Sequence, residues 1–177
     1  MNPDVEKILC SEEQIAEKVK ELAARIDCEY EGKNPLILCV LKGSFVFTAD
    51  LVRAIKMPVQ VEFIQVSSYG NSSTSGCLKI KKDIDEDISG RHVIVVEDIL
   101  DTGNTLSALM EMLKGRNPAS LKMCALFDKP SRREKPIEAD YSGFVVPNEF
   151  LVGYGLDFAE KYRDLPYVGV LKPEIYQ

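Results

Sequence analysis

Apolar side chains near the amino terminus recur with the spacing of an amphipathic helix. The sequence Ser11-Glu12-Glu13-Gln14 has the form of a capping box, in which a serine begins the helix and the residue three positions later closes the cap. Apolar residues then follow at intervals of three or four, at Ile15, Val19, Leu22 and Ile26. This pattern predicts a helix over about residues 12 to 27 with one buried face.

Short apolar runs alternate with further helical patterns along the rest of the chain. The clearest run, Leu36–Leu41, is apolar on both faces, as expected for a strand inside a parallel sheet. Strands are predicted at 36–41, 59–66, 78–80, 93–96, 121–127, 144–146, 151–152 and 167–171, and further helices at 44–55 and 104–114. This alternation predicts an α/β fold with a mostly parallel central sheet flanked by helices. No internal repeat or domain boundary is visible, so residues 1–177 are expected to form one domain.

Composition and charge narrow the class of protein. Of the 177 residues, 45% are hydrophobic and 28% are charged, which is typical of a globular protein and unlike a disordered or collagenous one. No apolar run approaches the roughly 20 residues that a membrane span needs, and no secretory signal is visible, so a cytoplasmic location is expected.

A net charge of −6 argues against a nucleic-acid partner, because non-specific binding of that kind depends on cationic surface. Five widely spaced cysteines and a single histidine argue against a zinc site or a disulfide framework.

Residues 67–77 form a stretch of small polar side chains between two predicted strands. Apolar anchors are almost missing from it. Such a stretch is typical of a disordered linker or of a mobile lid over an active site.

The segment that follows the apolar run at 93–96 carries the strongest chemical signal. Open parallel sheets bind ligands beyond the carboxyl ends of their strands, and here Glu97 and Asp98 follow the run directly. Two adjacent carboxylates suit a sugar diol, which needs two acceptors, or a magnesium ion, which takes oxygen ligands. A third acid, Asp101, precedes a Thr-Gly-x-Thr turn that opens the helix at 104–114. Unpaired N–H groups and the helix dipole at such a turn favour a phosphate.

Two common phosphate-binding motifs are missing from the sequence. It has no Gly-Lys-Ser/Thr of a Walker P-loop, and Gly153-Tyr154-Gly155 lacks the third glycine of a dinucleotide fingerprint. The simplest competing interpretation is that Asp101 or Thr102 only caps the helix while the acids are solvated.

Residues 95–106 resemble the phosphoribosyl pyrophosphate motif of type I phosphoribosyltransferases. Their sequence is Val-Val-Glu-Asp-Ile-Leu-Asp-Thr-Gly-Asn-Thr-Leu. Segments at 41–45, 128–133, 147–157 and 162–167 are similar to the bacterial hypoxanthine phosphoribosyltransferase branch of that family and follow its order. The resemblance covers about residues 8 to 172. It implies the type I phosphoribosyltransferase fold, with a small hood built from chain-terminal segments. It also implies a purine salvage transferase that moves the 5-phosphoribosyl group from phosphoribosyl pyrophosphate to hypoxanthine, guanine or xanthine, giving IMP or GMP and pyrophosphate.

The same resemblance implies a role for each residue of the ribose and phosphate motif. Glu97 and Asp98 would hold the ribose hydroxyls, directly or through magnesium. Asp101 would face N7 of the purine and act as the general base. The 5′-phosphate site would comprise Asp101, Thr102, Gly103, Asn104 and Thr105.

Residues elsewhere in the chain complete the implied site. The pyrophosphate would contact Lys42, Gly43 and Arg163, with a non-proline cis peptide between Leu41 and Lys42, and the lid would include Ser68 and Tyr69. The purine would contact Lys129, Phe150, Leu151 and Asp157. An ammonium group only donates hydrogen bonds, so Lys129 would favour a 6-oxo base over adenine. Magnesium would be the cofactor, with Glu97, Asp98 and Asp157 as ligands, and the protein would form a homodimer or homotetramer.

Several competing interpretations stay open on the sequence alone. Lys129, Arg132, Arg133 and Lys135 could form a solvated basic turn, and Phe150 could be a core residue. Some proteins similar to this fold regulate transcription or bind RNA, which would require a basic face. Acids after a strand are also typical of phosphoacceptor signalling domains. In those domains the acids lie near the amino terminus, whereas Glu97 and Asp98 lie beyond the midpoint of this chain.

Overall fold

A computed structural model of the protein describes residues 1–68 and 78–177. Two sheets organise these residues. The helices are α1 (Glu12–Tyr30), α2 (Phe45–Ala54), α3 (Asn104–Lys114) and α4 (Pro173–Tyr176). The strands are β1 (Val5–Cys10), β2 (Leu36–Leu41), β3 (Gln60–Ser68), β4 (Leu78–Lys82), β5 (His92–Leu100), β6 (Ser120–Asp128), β7 (Tyr141–Val145), β8 (Leu151–Val152) and β9 (Val168–Leu171).

The central sheet has six strands in the order β4-β3-β2-β5-β6-β7. All neighbouring pairs are parallel except β3 with β4, which is antiparallel. Helices cover both faces because successive parallel strands are joined by crossover connections. The prediction of a mostly parallel central sheet flanked by helices is therefore confirmed.

Strand β5 lies in the middle of the sheet and packs on both faces. Ile94 and Val96 belong to the core cluster formed with α1 and α2, whereas Val93 and Val95 belong to the cluster formed with α3. All four side chains are fully buried. This is why the run is β-branched throughout instead of alternating with polar residues.

The second sheet has three antiparallel strands in the order β1-β9-β8 and joins the two ends of the chain. We call this sheet the hood, as the family resemblance implies. Strand β1 was not predicted, because only its first and last residues, Val5 and Cys10, are buried. Its pairing with β9 joins segments that lie far apart in the sequence, for example Val5 with Leu171.

Two boundaries differ from the predictions in an informative way. Helix α1 continues to Tyr30, because this buried side chain extends the apolar stripe beyond the polar residues 27–29. Strand β5 continues through Glu97 and Asp98 to Leu100, because β6 pairs with it along that whole length. On its other side, β2 pairs with β5 only as far as Val96. The edge of β5 at residues 97–100 is therefore free of a strand partner on the β2 side.

The short helix α4 was also not predicted from the sequence. Among residues 1–68 and 78–177, no helix has both the length and the apolar character needed to cross a bilayer.

Most of the lid predicted at 67–77, including Tyr69, lies outside the described residues. The backbone of Ser68 pairs with Leu78 where β3 and β4 meet.

Candidate active site

The carboxylates of Glu97 and Asp98 lie on the stretch of β5 that β2 leaves free. Asp98 is only 9% exposed. Its backbone N–H donates to Glu97 Oε1 at 3.1 Å, and its own Oδ1 accepts from the Ile99 N–H at 2.6 Å. Burial and the neighbouring Asp98 carboxylate raise the pKa of Glu97 well above its ordinary value, and burial also raises the pKa of Asp98. Two acids so placed gain from a cation or a hydroxyl donor that compensates their charge.

The loop that follows β2 closes against this pair of acids. The peptide bond between Leu41 and Lys42 is cis, as the resemblance implies. A Cβ atom on Gly43 would lie 1.7 Å from Asp98 Oδ2, so only glycine allows the loop to approach the carboxylate this closely. Lys42 and Gly43, predicted to contact pyrophosphate, therefore lie beside Asp98, predicted to contact the ribose or magnesium.

The turn at residues 101–105 connects β5 to α3. Gly103 is the N-cap of α3 and has a left-handed backbone with φ of +81°. A Cβ atom there would lie 2.6 Å from Ile137 Cγ2, so both conformation and space require glycine. The Thr102 carbonyl accepts from the Glu134 N–H at 2.9 Å, and the Thr102 hydroxyl faces the Asn104 N–H at 3.4 Å. The first N–H groups of α3 point out of the helix end, as an anion site requires.

Asp101 combines a buried acceptor with a fixed backbone. Its Oδ1 is buried and accepts no hydrogen bond from the described residues, although Arg132 Nε lies 3.4 Å away. Its carbonyl accepts from Arg133 Nε at 2.9 Å, and Arg133 also pairs with Asp128 and donates to Leu100 O. Arg133 is thus a partly buried side chain that links β5 and β6, so the interpretation of a solvated turn is wrong for this residue. Asp101 Oδ1 therefore has an ion-pair partner in Arg132 but can still accept a hydrogen bond from a ligand.

A cavity of about 620 Å³ lies over these elements. Its lining includes six of the predicted site residues, namely Asp98, Asp101, Lys129, Phe150, Leu151 and Asp157. This cavity is not lined by the other predicted site residues that were named for the phosphates and the ribose, which are Lys42, Gly43, Glu97, Arg163 and 102–105. Gly43 contacts its wall at Asp98, and Arg163 lines a neighbouring cavity of about 320 Å³.

Lys129 is the buried cation of the larger cavity and is only 5% exposed. Its Nζ donates to the backbone carbonyl of Glu149 at 2.9 Å, which fixes the direction of the ammonium group. Burial lowers the pKa of Lys129, and the carboxylate of Asp101 opposes that shift. The Glu149 side chain pairs with Lys7 on β1 at 2.7 Å. The hood therefore helps to position Lys129. The side chain is therefore not part of a solvated basic turn.

The loop after β8 pairs its charges internally. Asp157 Oδ1 accepts from Arg163 at 2.9 Å, and Asp157 Oδ2 accepts from the Glu160 N–H at 2.9 Å. Glu160 in turn pairs with Lys42 at 3.0 Å and with Arg163 at 3.6 Å. One carboxylate thus faces both of the cations that were predicted to contact pyrophosphate.

Sequence reasoning missed Glu160, Glu149 and Arg133 as parts of this site. Their partners lie far away in the sequence: Lys42 and Glu160 are 118 positions apart, and Arg133 and Leu100 are 33 apart. No local spacing signals such a contact. The basic run at 129–135 was a partial clue, but it does not distinguish a buried arginine from a solvated one.

Comparison with known proteins identifies the family. The family described as "Phosphoribosyl transferase domain" matches residues 7–159. The chain belongs to this family. Across its full length the chain is 51% identical to a hypoxanthine-guanine phosphoribosyltransferase of Bacillus subtilis, covering 99% of that protein.

Two further relatives extend the comparison. A crystal structure of a hypoxanthine phosphoribosyltransferase from Staphylococcus aureus superposes with a TM-score of 0.95 at 43% identity, covering 98% of this chain and 95% of that one. The "Bifunctional protein TilS/HprT" of Listeria innocua is 52% identical over 99% of this chain. This phosphoribosyltransferase-family chain spans only 27% of the length of that bifunctional relative.

Proposed function

We propose that this protein is a purine salvage enzyme that transfers the 5-phosphoribosyl group from phosphoribosyl pyrophosphate to hypoxanthine, giving IMP and pyrophosphate. Guanine, which gives GMP, ranks second as substrate and xanthine third. The observation that carries the proposal is that Asp98, Asp101 and Lys129 line one cavity, beside a helix end that suits a phosphate. Relatives that the chain covers almost completely are named hypoxanthine-guanine phosphoribosyltransferases, which supports the same substrate class.

The ribose and its phosphate occupy the end of β5 in this proposal. Glu97 and Asp98 accept hydrogen bonds from the ribose hydroxyls or hold a metal bound to them. The turn at 102–105 donates its N–H groups and hydroxyls to the 5′-phosphate. The close approach of Gly43 to Asp98 supports this arrangement, because it brings the pyrophosphate loop to a carboxylate that is proposed to hold the ribose.

The purine lies between β5 and the hood. Lys129 donates to its 6-oxygen, Phe150 stacks on its ring, and the backbone of Leu151 and Asp157 accepts from its other edge. Adenine presents an amino group where these bases have an oxygen, and an ammonium group has no acceptor for it. The burial of Lys129 supports this selectivity, since an unmatched polar group is costly in a site with little water.

The departing pyrophosphate is held by Lys42, Gly43 and Arg163. Both cations already face carboxylates in this structure, so the pyrophosphate replaces an acid as their partner. The segment that includes Ser68 and Tyr69 acts as a lid that excludes water while the reaction proceeds.

The residues of the site fit magnesium. Within the described chain, no cluster of three or more histidine, cysteine or acidic side chains forms a complete metal site. Magnesium, however, is usually held by one or two carboxylates together with substrate phosphates, and the adjacent acids Glu97 and Asp98, together with Asp157, provide such carboxylates. When bound, the metal stabilises the negative charge that develops on the leaving pyrophosphate.

The chemical step is a substitution at C1 of the ribose. The bond from C1 to the pyrophosphate oxygen breaks while a bond from C1 to N9 of the purine forms, and the ring proton at N7 passes to Asp101. Positive charge develops on the ribose, and the carboxylates of Glu97 and Asp98 stabilise it. The buried Oδ1 of Asp101, which accepts no hydrogen bond from the described residues, supports its role as the proton acceptor.

We also propose a cellular location and an oligomeric state for the enzyme. It acts in the cytoplasm as one domain over residues 1–177, and it forms a homodimer or homotetramer. Its partners are small molecules, with no role for nucleic acid or a membrane.

The deciding experiment supplies phosphoribosyl pyrophosphate and magnesium with one base at a time and measures pyrophosphate release. Hypoxanthine, guanine, xanthine, adenine and uracil form the set. We expect release with the first three only, in the order given. Release with none of them would contradict the proposed transferase, whereas a preference for adenine would contradict only the role of Lys129. A Lys129→Met variant, which keeps most of the stem and removes the donor, should raise the KM for hypoxanthine.

A further inference from the structure

The aromatic ring of Phe150 is stacked on a second aromatic ring from the far end of the chain. Tyr176 on α4 lies 4.8 Å from it, centre to centre, with an angle of 24° between the ring planes. Phe158 meets Phe150 at 90° and 5.5 Å. Phe150 nevertheless stays 37% exposed, and both Phe150 and Tyr176 line the larger cavity. Tyr176 therefore covers one face of Phe150 while part of the ring stays open to a ligand.

Both rings are attached to the same rigid support. The carbonyl of Phe150 accepts from the N–H of Leu171, the last residue of β9, at 2.8 Å. Helix α4 begins directly afterwards, and the Lys172 N–H donates to Asp4 O at 3.0 Å. Tyr176 also packs against the apolar cluster of the hood that contains Val5. The hood thus fixes Tyr176 relative to Phe150.

We propose that Tyr176 is a positioning residue for the purine, acting through Phe150. A base that stacks on Phe150 needs the plane of that ring to be fixed, and a partly exposed phenylalanine with one free side would otherwise rotate. Tyr176 holds the plane and leaves the exposed part of the ring for the base. Offset-stacked aromatic pairs have this effect because their interaction depends on ring orientation. The inference rests on the proposed function, since it assigns a purine to the open face of Phe150.

Steady-state kinetics with hypoxanthine and phosphoribosyl pyrophosphate test the proposal. Replacing Tyr176 by alanine should raise the KM for hypoxanthine by about 2- to 12-fold, the range equivalent to one aromatic pair. The KM for phosphoribosyl pyrophosphate and kcat should stay unchanged, because Tyr176 stacks on Phe150 and packs against the hood and is assigned no role at the ribose or the phosphates. Tyr176→Phe keeps the stacked ring and should behave as the wild type. Tyr176→Leu keeps apolar bulk without a ring and should also raise the KM, so it decides the matter if the alanine variant does not fold.

Tyr167→Ala is the matched control. Tyr167 packs on the same cluster of the hood and accepts from the Asn2 N–H at 2.8 Å, but it is not stacked on Phe150. It tests whether general loosening of the hood is enough to change the KM for hypoxanthine. An equal rise in both variants would overturn the proposal, as would an unchanged or lowered KM in Tyr176→Ala. Wild-type protein that releases no pyrophosphate with any 6-oxopurine would overturn the proposed function itself.

Discussion

Replacing Gly43 by alanine should disable the site through a single steric conflict. The added Cβ would lie 1.7 Å from Asp98 Oδ2 and 2.7 Å from Asp98 Cγ. A carbon and an oxygen do not approach closer than about 3 Å, so the loop or the carboxylate must move by more than about 1 Å. If the carboxylate moves, it loses its hydrogen bond from the Ile99 N–H. If the loop moves, Lys42 moves with it.

Either movement should reduce activity strongly and stability moderately. Misplacing a reacting group by about 1 Å can lower kcat/KM by about 10²-fold, and we expect a loss of that order for phosphoribosyl pyrophosphate. Overpacking in a well-packed region costs about 1–3 kcal/mol of unfolding free energy, which corresponds to a fall in Tm of roughly 2 to 12 °C for a chain of this size. Steady-state kinetics and thermal melting measure the two effects.

Two further variants test whether the clash with Asp98 causes both losses. Gly115 has φ of −63°, and a Cβ there would meet its nearest neighbour, Met112 O, at 3.3 Å. Gly115→Ala should therefore leave activity and Tm close to the wild type. In an Asp98→Ala background the clashing atoms are gone, so Gly43→Ala should cost little additional stability. Wild-type kcat/KM in Gly43→Ala, or a full stability loss in the double variant, would refute the reasoning.

Three other predictions concern proton transfer, charge and pH. Asp101→Asn should lower kcat by roughly 10²- to 10⁴-fold with a smaller effect on substrate KM, the range for loss of a general base, and an unchanged kcat would remove Asp101 from that role. Glu160→Gln removes the carboxylate that Lys42 and Arg163 share and leaves Asp157 as the partner of Arg163, so the KM for phosphoribosyl pyrophosphate should fall roughly two- to five-fold at low salt, and the difference should shrink as salt rises. Glu86→Gln, at a remote surface pair, is the control and should not change that KM. The hydrogen bond from Lys122 lowers the pKa of Glu29 below its ordinary 4.5, so the folded state gains stability above that pH and loses it as pH falls through the lowered pKa. Glu29→Gln should therefore be less stable than the wild type at pH 7, by less than about 1 kcal/mol, and should have a lower Tm. The two Tm values should converge as pH falls through the lowered pKa, and a difference that does not shrink with falling pH would contradict this assignment.

The sequence was informative where structure is specified locally. The capping box at Ser11, the β-branched run at 93–96 and the glycine turn at 103 each predicted an element close to its observed position. Two features were missed because they depend on distant partners. Strand β1 exists because β9 pairs with it, and β5 extends past the acids because β6 pairs along it.

The charges of the site show why local patterns are insufficient for its electrostatics. A net charge of −6 repels a polyanion. A protein with this charge that binds a polyanion therefore needs cationic side chains that other residues already hold in place at the site. Lys42 and Arg163 share Glu160, which is mostly exposed, and Arg163 also pairs with the less exposed Asp157, so a bound pyrophosphate would compete with both carboxylates. In the proposed function, the affinity for phosphoribosyl pyrophosphate then depends on how easily these acids are displaced into water. A sequence shows each of these residues, but only the fold shows that one carboxylate serves both cations.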